Sequence, residues 1–334
     1  MEAAVFLIVA LALFMSFVFL IYILSPLITP KPLKLNGAHV IITGGSSGIG
    51  KAVAAEVLNQ GANVTIMARN QTRLKQAKQE LEEHIKDKNT QKILCISVDV
   101  AKEYSAVEKA VKEACDVLGP CDMLVNSAGT STAGSFEEMD VSEFRKLMDV
   151  NYLGTVYPTK AVLPYMKQQS QGRIVFVSSQ AGQIGLFGYT AYSGSKFALM
   201  GFAEALQMEV KPYNIYLTIN FPPDTQTPLY EEDLKRSPEE TVLISQTSGL
   251  YQPADVASSI VTDSKNAVFL SWIGLDGFML ANMTCGMSPV TSMMEGVQQV
   301  VTMGIFRIVS FFYLGMFDRI VRKCKENRKK DKKD

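Results

Sequence analysis

The sequence predicts an α/β protein built on a doubly wound parallel sheet, with an N-terminal transmembrane anchor and a C-terminal membrane-associated segment. Three observations carry this. Short β-branched runs alternate with longer helix-forming stretches between Gly37 and about Trp272. An uncharged run of 22 residues, Ala3 to Leu24, precedes them, and an apolar, aromatic stretch from Val300 to Phe317 follows.

The first run covers roughly the 30 Å hydrocarbon core of a bilayer at about 1.5 Å of helical rise per residue. It exceeds the apolar region of a cleaved signal peptide, roughly 7–15 residues, and no basic segment precedes it, so a retained anchor is expected. Lys31 and Lys34 follow it while only Glu2 and the α-amine precede it, which orients the main domain toward the cytosol. The Pro-rich stretch Ser25 to Pro32 is the boundary.

The strand candidates are Val40–Thr43, Val64–Ala68, Ile93–Val98, Met123–Asn126, Ile174–Ser178 and Ile215–Asn220. Several are nearly continuous in apolar residues, the mark of strands covered on both faces. After the first comes Thr43-Gly44-Gly45-Ser46-Ser47-Gly48-Ile49-Gly50 and then a helix-forming run. Strand, glycine turn and helix in this order make a Rossmann-type pyrophosphate site: glycines let the backbone approach, and the free N–H groups and dipole of the helix stabilise negative charge. The spacing here is G-x-x-x-G-x-G rather than G-x-G-x-x-G.

The second strand runs into Arg69, 19 residues beyond Gly50, where an NAD-selective site places a carboxylate for the ribose 2′-hydroxyl. A guanidinium suits a 2′-phosphate, so NADPH is the expected cofactor, with Arg73 one helical turn on as a second contact. At the end of the third strand, Asp99 and Val100 are placed at the adenine, with a helix cap as the alternative role for Asp99. Asn126 ends the fourth strand in Asn126-Ser127-Ala128-Gly129, and Asn151 follows in Asp-Val-Asn-Tyr-Leu-Gly; on local evidence alone the default reading of either asparagine is a turn or cap residue.

Ser179 ends the fifth strand, 13 residues before Tyr192, at the sheet end where ligands gather, and its hydroxyl is placed to hydrogen-bond a developing alkoxide. Tyr192 and Lys196, at i and i+4, share one helical face, and of the 12 tyrosines only this one has a lysine four residues on. An adjacent ammonium favours the phenolate, so the phenol pKa is expected to fall, which suits proton exchange with a carbonyl or alcohol oxygen.

Composition narrows the rest. With 33 basic and 33 acidic side chains the net charge is zero, which argues against a nucleic-acid partner bound by bulk phosphate neutralisation. Residues Arg319 to Asp334 nevertheless carry a net +6 and the remainder −6. Arg307 interrupts Val300–Phe317, so this segment reads as an interfacial or re-entrant helix with its basic tail on anionic lipid, or alternatively as a dimer-forming or core helix. The last five residues, Lys330-Asp-Lys332-Lys-Asp334, have the K-x-K-x-x form of a dilysine retrieval signal of the endoplasmic reticulum. Five cysteines without a C-x-x-C pair indicate neither a disulfide framework nor a thiolate zinc site, and His39 and His84 lie far apart, so no metal is expected.

The glycine turn, Asn-Ser-Ala-Gly, Asn151, and Ser179 with Tyr-x-x-x-Lys, in this order, resemble the short-chain dehydrogenase/reductase family over roughly Gly37 to Pro228. The resemblance implies that Gly44, Gly48 and Gly50, with Ser46, Ser47 and Ile49 between them, hold the cofactor, and that Asn151, Ser179, Tyr192 and Lys196 form a catalytic tetrad. In that scheme Tyr192 is the proton donor, Ser179 orients the ketone, Lys196 binds the nicotinamide ribose and lowers the tyrosine pKa, and Asn151 holds a water in the proton relay. Two departures are visible: Asn-Ser-Ala-Gly replaces Asn-Asn-Ala-Gly, and Phe221-Pro222-Pro223-Asp224 replaces the usual Pro-Gly. The second proline stiffens the segment leading to Thr225 and Thr227, the implied carboxamide contacts.

A closer resemblance, to the family's reductases of long-chain sphingoid ketones, is carried by Ser25-Pro-Leu-Ile-Thr-Pro-Lys-Pro, by Gly172 to Gly188, by Ala205 to Asn214 and by Met287-Ser-Pro-Val-Thr-Ser. It implies NADPH-dependent reduction of such a ketone at the cytosolic face of the endoplasmic reticulum, and a homo-oligomer formed through the helices that carry Asn151 and Tyr192. Microsomal hydroxysteroid or retinol dehydrogenases share the anchor and tetrad and are the alternative; an inactive membrane-tethered scaffold is the reading of a different class. Sequons at Asn63, Asn70 and Asn282 should be empty in a cytosolic domain. The expected organisation is an anchor and linker at 1–30, a reductase domain at 31–275 with a substrate loop at 223–250, an apolar membrane-associated segment at 276–318 and a basic cytosolic tail at 319–334.

Overall fold

Helix α1 (Glu2–Leu24) carries no charge after Glu2 and exposes nearly all its apolar side chains, which fits an element made for lipid. The computed structural model describes residues 2–25 and 29–331. Residues 26–28 of the Pro-rich boundary and 332–334 of the dilysine-like tail lie outside the described residues.

Strands and helices then alternate in the order β1 (His39–Thr43), α2 (Gly48–Asn59), β2 (Asn63–Ala68), α3 (Gln71–Leu81), β3 (Ile93–Ser97), α4 (Tyr104–Leu118), β4 (Met123–Asn126), α5 (Val141–Leu147), α6 (Gly154–Gln169), β5 (Gly172–Val177), α7 (Thr190–Val210) and β6 (Ile215–Asn220). After these come α8 (Pro228–Leu234), α9 (Glu239–Ser245), α10 (Pro253–Lys265), β7 (Leu270–Ser271), α11 (Gly274–Met283) and α12 (Met293–Asp331). The seven strands form one parallel sheet in the order β3-β2-β1-β4-β5-β6-β7. The six predicted strands are present, and β7 is an addition: two residues, paired with Ile219 and Asn220, are too few to show a period in sequence.

Alternate strand residues enter two separate cores, one on each face of the sheet. Ile41, Leu124, Ile174, Phe176 and Leu217 pack with α4, α6 and α7, while Val40, Ile42, Met123, Val125 and Val175 pack with α2 and α10. This explains the unbroken apolar runs, since each strand has no polar face. Strand order reverses between β1 and β4, which opens a crevice at the carboxyl ends of the strands.

Two short helices, α8 and α9, fall within the expected substrate loop. The expected segment 276–318 is split between α11 and α12, which pack against each other, and Val300–Phe317 and the basic tail share the single helix α12, so the expected boundary at 318/319 falls in mid-helix. One side of α12 docks on the domain: the Phe306 ring meets Phe278 of α11 edge-on at 5.6 Å, and the Tyr313 hydroxyl donates to Asp276 at 3.2 Å. Farther along, Arg328 pairs with the buried Glu240 of α9. The other side leaves Val300, Val301, Ile305, Ile308 and Phe312 exposed. Near the start of the chain, α1 packs against α12, and Ile21 is buried.

Candidate active site

The glycine turn between β1 and α2 is closed too tightly for side chains. A Cβ at Gly44 would lie 2.8 Å from the Ala128 nitrogen, and one at Gly50 would lie 2.5 Å from the Gly44 carbonyl oxygen. Gly44 and Gly48 also hold φ of 67° and 53°, a left-handed region that favours glycine. The first N–H groups of α2 have no intrahelical partner, and Ser47 at its N-cap makes no side-chain cap bond. This is a cradle of free donors with nothing projecting into it, which fits a pyrophosphate.

From the turn a groove runs over the ends of β2 and β3, lined by Ser46, Ser47, Gly48 and Ile49, then by Arg69, Arg73, Asp99 and Val100. Arg69 is exposed at the end of β2, with its guanidinium 4.0 Å from Asp99. Asp99 lies two residues past the end of β3 and also accepts from the Ala101 N–H at 3.1 Å, so the local turn uses one of its oxygens.

Three residues expected at the cofactor do not form the groove wall. Gly50 is buried against the Gly44 carbonyl and shapes the turn from beneath. Asn126 is buried under the groove, its amide donating to Thr159 of α6 at 3.1 Å. Thr225 turns its hydroxyl to the Pro223 carbonyl at 2.8 Å, because Pro222 and Pro223 pin this strand exit, while Thr227 borders the groove and stands against Gly48.

The four tetrad positions converge where β4 and β5 end. Asn151 lies in a widened, π-helical turn (Met148–Leu153) between α5 and α6. Its Oδ1 accepts from the Thr130 N–H at 2.9 Å, and its Nδ2 donates to the Thr130 carbonyl at 3.0 Å and to Ser195 Oγ at 2.9 Å. Both amide hydrogens are thus used to join the loop after β4 to α7. Asn151 and Lys196 both approach Gly129, where a Cβ would lie 3.3 Å from Oδ1 and 3.6 Å from Nζ. Gly129 is therefore a site residue that sequence reasoning passed over, though it ends the Asn126–Gly129 motif.

Lys196 is buried and donates to the Val177 carbonyl at 2.9 Å; burial lowers its pKa to about 8. Its nitrogen lies 5.8 Å from the Tyr192 ring centroid. The Tyr192 phenol is pushed up to about 12 by burial, with its hydrogen bond to Ser179 acting the other way. The expected fall in its pKa does not occur, because desolvation outweighs an ammonium whose own hydrogen bond goes to a backbone carbonyl. Ser179 caps a short 3₁₀ turn, its Oγ accepting from the Ala181 N–H at 3.1 Å, which leaves its hydroxyl hydrogen for the Tyr192 phenol oxygen beside it.

Ser179 and Tyr192 open on their other side into a second cavity whose walls are largely apolar. Ile184, Leu186 and Ile244 lead from them to Met283 of α11 and to Leu314 and Phe317 of α12. Arg307, which breaks the apolar run in sequence, lines this cavity. Tyr189, Asp224 and Asp233 also line it and were not anticipated; for Asp224 the signal was the departure Pro222-Pro223-Asp224. Both histidines stand apart from this chemistry: His39 begins β1, at the far end of the sheet, and hydrogen-bonds the Gly119 carbonyl and the Thr65 hydroxyl.

Comparison with known proteins agrees with this geometry. The chain is 61% identical over 327 residues to the 3-dehydrosphinganine reductase of Danio rerio, covering 98% of each chain. It is 59% identical over 319 residues to the 3-ketodihydrosphingosine reductase of Bos taurus, covering 95% of this chain and 96% of that one. The crystal structure of levodione reductase superposes with a TM-score of 0.66 at 23% identity, covering 74% of this chain and 98% of that one, a likeness of fold. The family profile described as short chain dehydrogenase matches residues 38–237. With its glycine cradle, parallel sheet and buried Tyr-x-x-x-Lys pair, the chain belongs to the short chain dehydrogenase family of nicotinamide-dependent oxidoreductases.

Proposed function

We propose that this chain carries out the NADPH-dependent reduction of 3-ketosphinganine to sphinganine at the cytosolic face of the endoplasmic reticulum membrane. One observation carries the reading beyond the names of its relatives: the Ser179 and Tyr192 hydroxyls sit at the head of an apolar cavity whose far wall is α12. The outer side of that helix is apolar and exposed. Such a cavity takes a polar head at the reacting end and a long alkyl chain toward the bilayer.

The residues present fit the cofactor. The Gly44–Gly50 turn and the start of α2 would hold the pyrophosphate, Arg69 and Arg73 the 2′-phosphate, Asp99 and Val100 the adenine end, and Lys196 the nicotinamide ribose. When bound, the nicotinamide supplies a hydride to the carbonyl carbon. Tyr192, a phenol protonated at neutral pH and kept so by burial, delivers the proton to the carbonyl oxygen. Ser179, whose hydroxyl hydrogen the turn does not use, donates to the same oxygen when substrate is bound and stabilises the charge that develops there. Asn151 fixes the loop after β4 against α7 and so holds the tetrad together.

NADPH oxidation by the detergent-solubilised full-length chain tests the reading, with 3-ketosphinganine and a 3- or 17-ketosteroid at matched concentration and NADH in parallel. Turnover of the sphingoid ketone with NADPH is expected. Preference for the steroid overturns the substrate, and nucleotide binding without turnover returns the scaffold reading.

Orientation has its own reporter. Asn282 is buried, its amide donating to the Phe278 carbonyl at 2.7 Å, and Asn63 accepts from the Lys92 N–H at 2.9 Å, which leaves Asn70 as the exposed sequon. An unglycosylated Asn70 in microsomes is expected, and its modification overturns the cytosolic placement. The same reading pairs copies of the chain through α6 and α7, where Phe197 and Met208 are exposed. A monomeric mass in light scattering overturns that assembly.

A further inference from the structure

Three carboxylates line the cavity at Tyr192 and the mechanism above uses none of them: Asp276 of α11 accepts from the Tyr313 hydroxyl of α12, and the other two stand nearer the reacting residues. Asp224 follows the stiff Pro222-Pro223 exit of β6, and Asp233 lies on α8; both are half-buried. Among the described residues neither forms an ion pair. The two are not equivalent. Asp233 accepts from the Tyr189 hydroxyl at 2.6 Å. The Tyr189 ring stands 5.3 Å from that of Tyr192. Asp224 has a single side-chain partner, the Ser245 hydroxyl of α9, which leaves acceptor capacity unused.

A half-buried carboxylate in an apolar cavity is unfavourable until a cation meets it. The one cationic residue among those lining this cavity is Arg307, on α12 at the membrane-facing end. The reacting end therefore carries carboxylates without a cation, while at the far end Arg307 stands in the same wall as Asp276. In the substrate class proposed above, an amine sits on the carbon next to the ketone, so its ammonium must lie close to the oxygen that Ser179 and Tyr192 receive.

We propose that Asp224, seconded by the Asp233–Tyr189 pair, forms an ammonium subsite that selects α-amino ketones over ketones of equal length without the amine. The inference rests on the sphingoid-ketone reading. A steroid or retinoid would desolvate Asp224 without pairing it, so the subsite also rejects the substrates of the alternative reading.

The test compares 3-ketosphinganine with 1-hydroxyoctadecan-3-one, the same chain without the amine, on the full-length NADPH-loaded enzyme. Parent, Asp224→Asn, Asp224→Glu and Asp233→Asn are each measured. The ratio of kcat/KM between the two ketones is expected to fall by about 10- to 100-fold in Asp224→Asn, the size of a hydrogen bond to a charged group. A smaller fall is expected in Asp233→Asn, and Asp224→Glu retains more of the ratio than Asn does. Equal losses on both ketones make these residues structural and overturn the subsite. If Asp224→Asn does not bind NADPH in a fluorescence titration, the same ratio read on Asp224→Glu and Asp233→Asn decides. A parent that reduces neither ketone overturns the sphingoid-ketone reading, and the subsite with it; a parent that reduces both equally overturns the subsite alone.

Discussion

The Lys196 ammonium donates to the Val177 carbonyl at 2.9 Å, so the buried amine of the site is held by the last residue of strand β5. That bond offsets only part of the cost of burying a charge. An unfolded lysine keeps its proton to about 10.5, and the folded one releases it at about 8, so between these values the unfolded chain binds more protons and folding becomes more favourable as pH rises. Below pH 8 the full penalty, about 3 kcal/mol, is present. Lys196→Met removes it and loses a hydrogen bond of about 1 kcal/mol. The variant is expected to be inactive yet about 1–2 kcal/mol more stable than the parent at pH 7, with the advantage shrinking by pH 10. Denaturant unfolding in detergent at the two pH values checks this; a variant less stable at both shows that the hydrogen bond dominates.

Tyr192 is the group whose loss should separate chemistry from binding. In the proposed mechanism its phenol is the proton donor, and the residue lines both the apolar cavity and the groove beside the glycine turn. Tyr192→Phe keeps the ring and deletes the proton, so kcat is expected to fall about 10²- to 10⁴-fold while NADPH affinity stays near the parent value. Steady-state rates beside a fluorescence titration of NADPH decide. Unchanged turnover removes the phenol from the mechanism.

Much of this site was legible because its determinants are local. The glycine turn, Arg69 and the Tyr192/Lys196 pair each sit within one strand end or one helical turn, where spacing fixes geometry. What escaped was set by packing between distant segments. Asn126 and Thr225 look like groove residues in sequence, yet neither lines the groove: the Asn126 amide donates to Thr159 beneath it and the Thr225 hydroxyl donates to the Pro223 carbonyl. The Tyr192 pKa goes against the expectation from its neighbour because desolvation depends on everything around it, not on the residue four positions away. Likewise Arg307 reads as a flaw in an apolar helix until α12 is seen to form a wall of the cavity.

On the proposed reading, preference for NADPH depends on a more exposed contact. Arg69 and Arg73 line the adenosine end of the groove, and Asp99 stands 4.0 Å from the Arg69 guanidinium. A bidentate guanidinium–phosphate contact strengthens NADPH and does nothing for NADH. Arg69→Ala is expected to raise the Kd for NADPH about tenfold and to leave that for NADH within about twofold. Equal losses for the two nucleotides assign Arg69 to the fold rather than to the phosphate.

The basic tail has a structural task besides any contact with lipid. Arg328, near the end of α12, reaches Glu240, a carboxylate with no solvent exposure on α9 of the substrate loop. One end of α12 therefore fastens the loop that covers the cavity, while its middle, at Tyr313 and Phe317, lines that cavity. Arg328→Ala leaves the buried carboxylate unpaired, and the response expected is release of α9 rather than loss of the sheet, whose two cores do not include it. Protease cleavage within residues 235–250 is expected to quicken, and KM for the long-chain ketone to rise with little change in NADPH affinity. Limited proteolysis with and without NADPH, beside KM measurements, tests the clamp; parent-like cleavage and KM show that the loop closes without it.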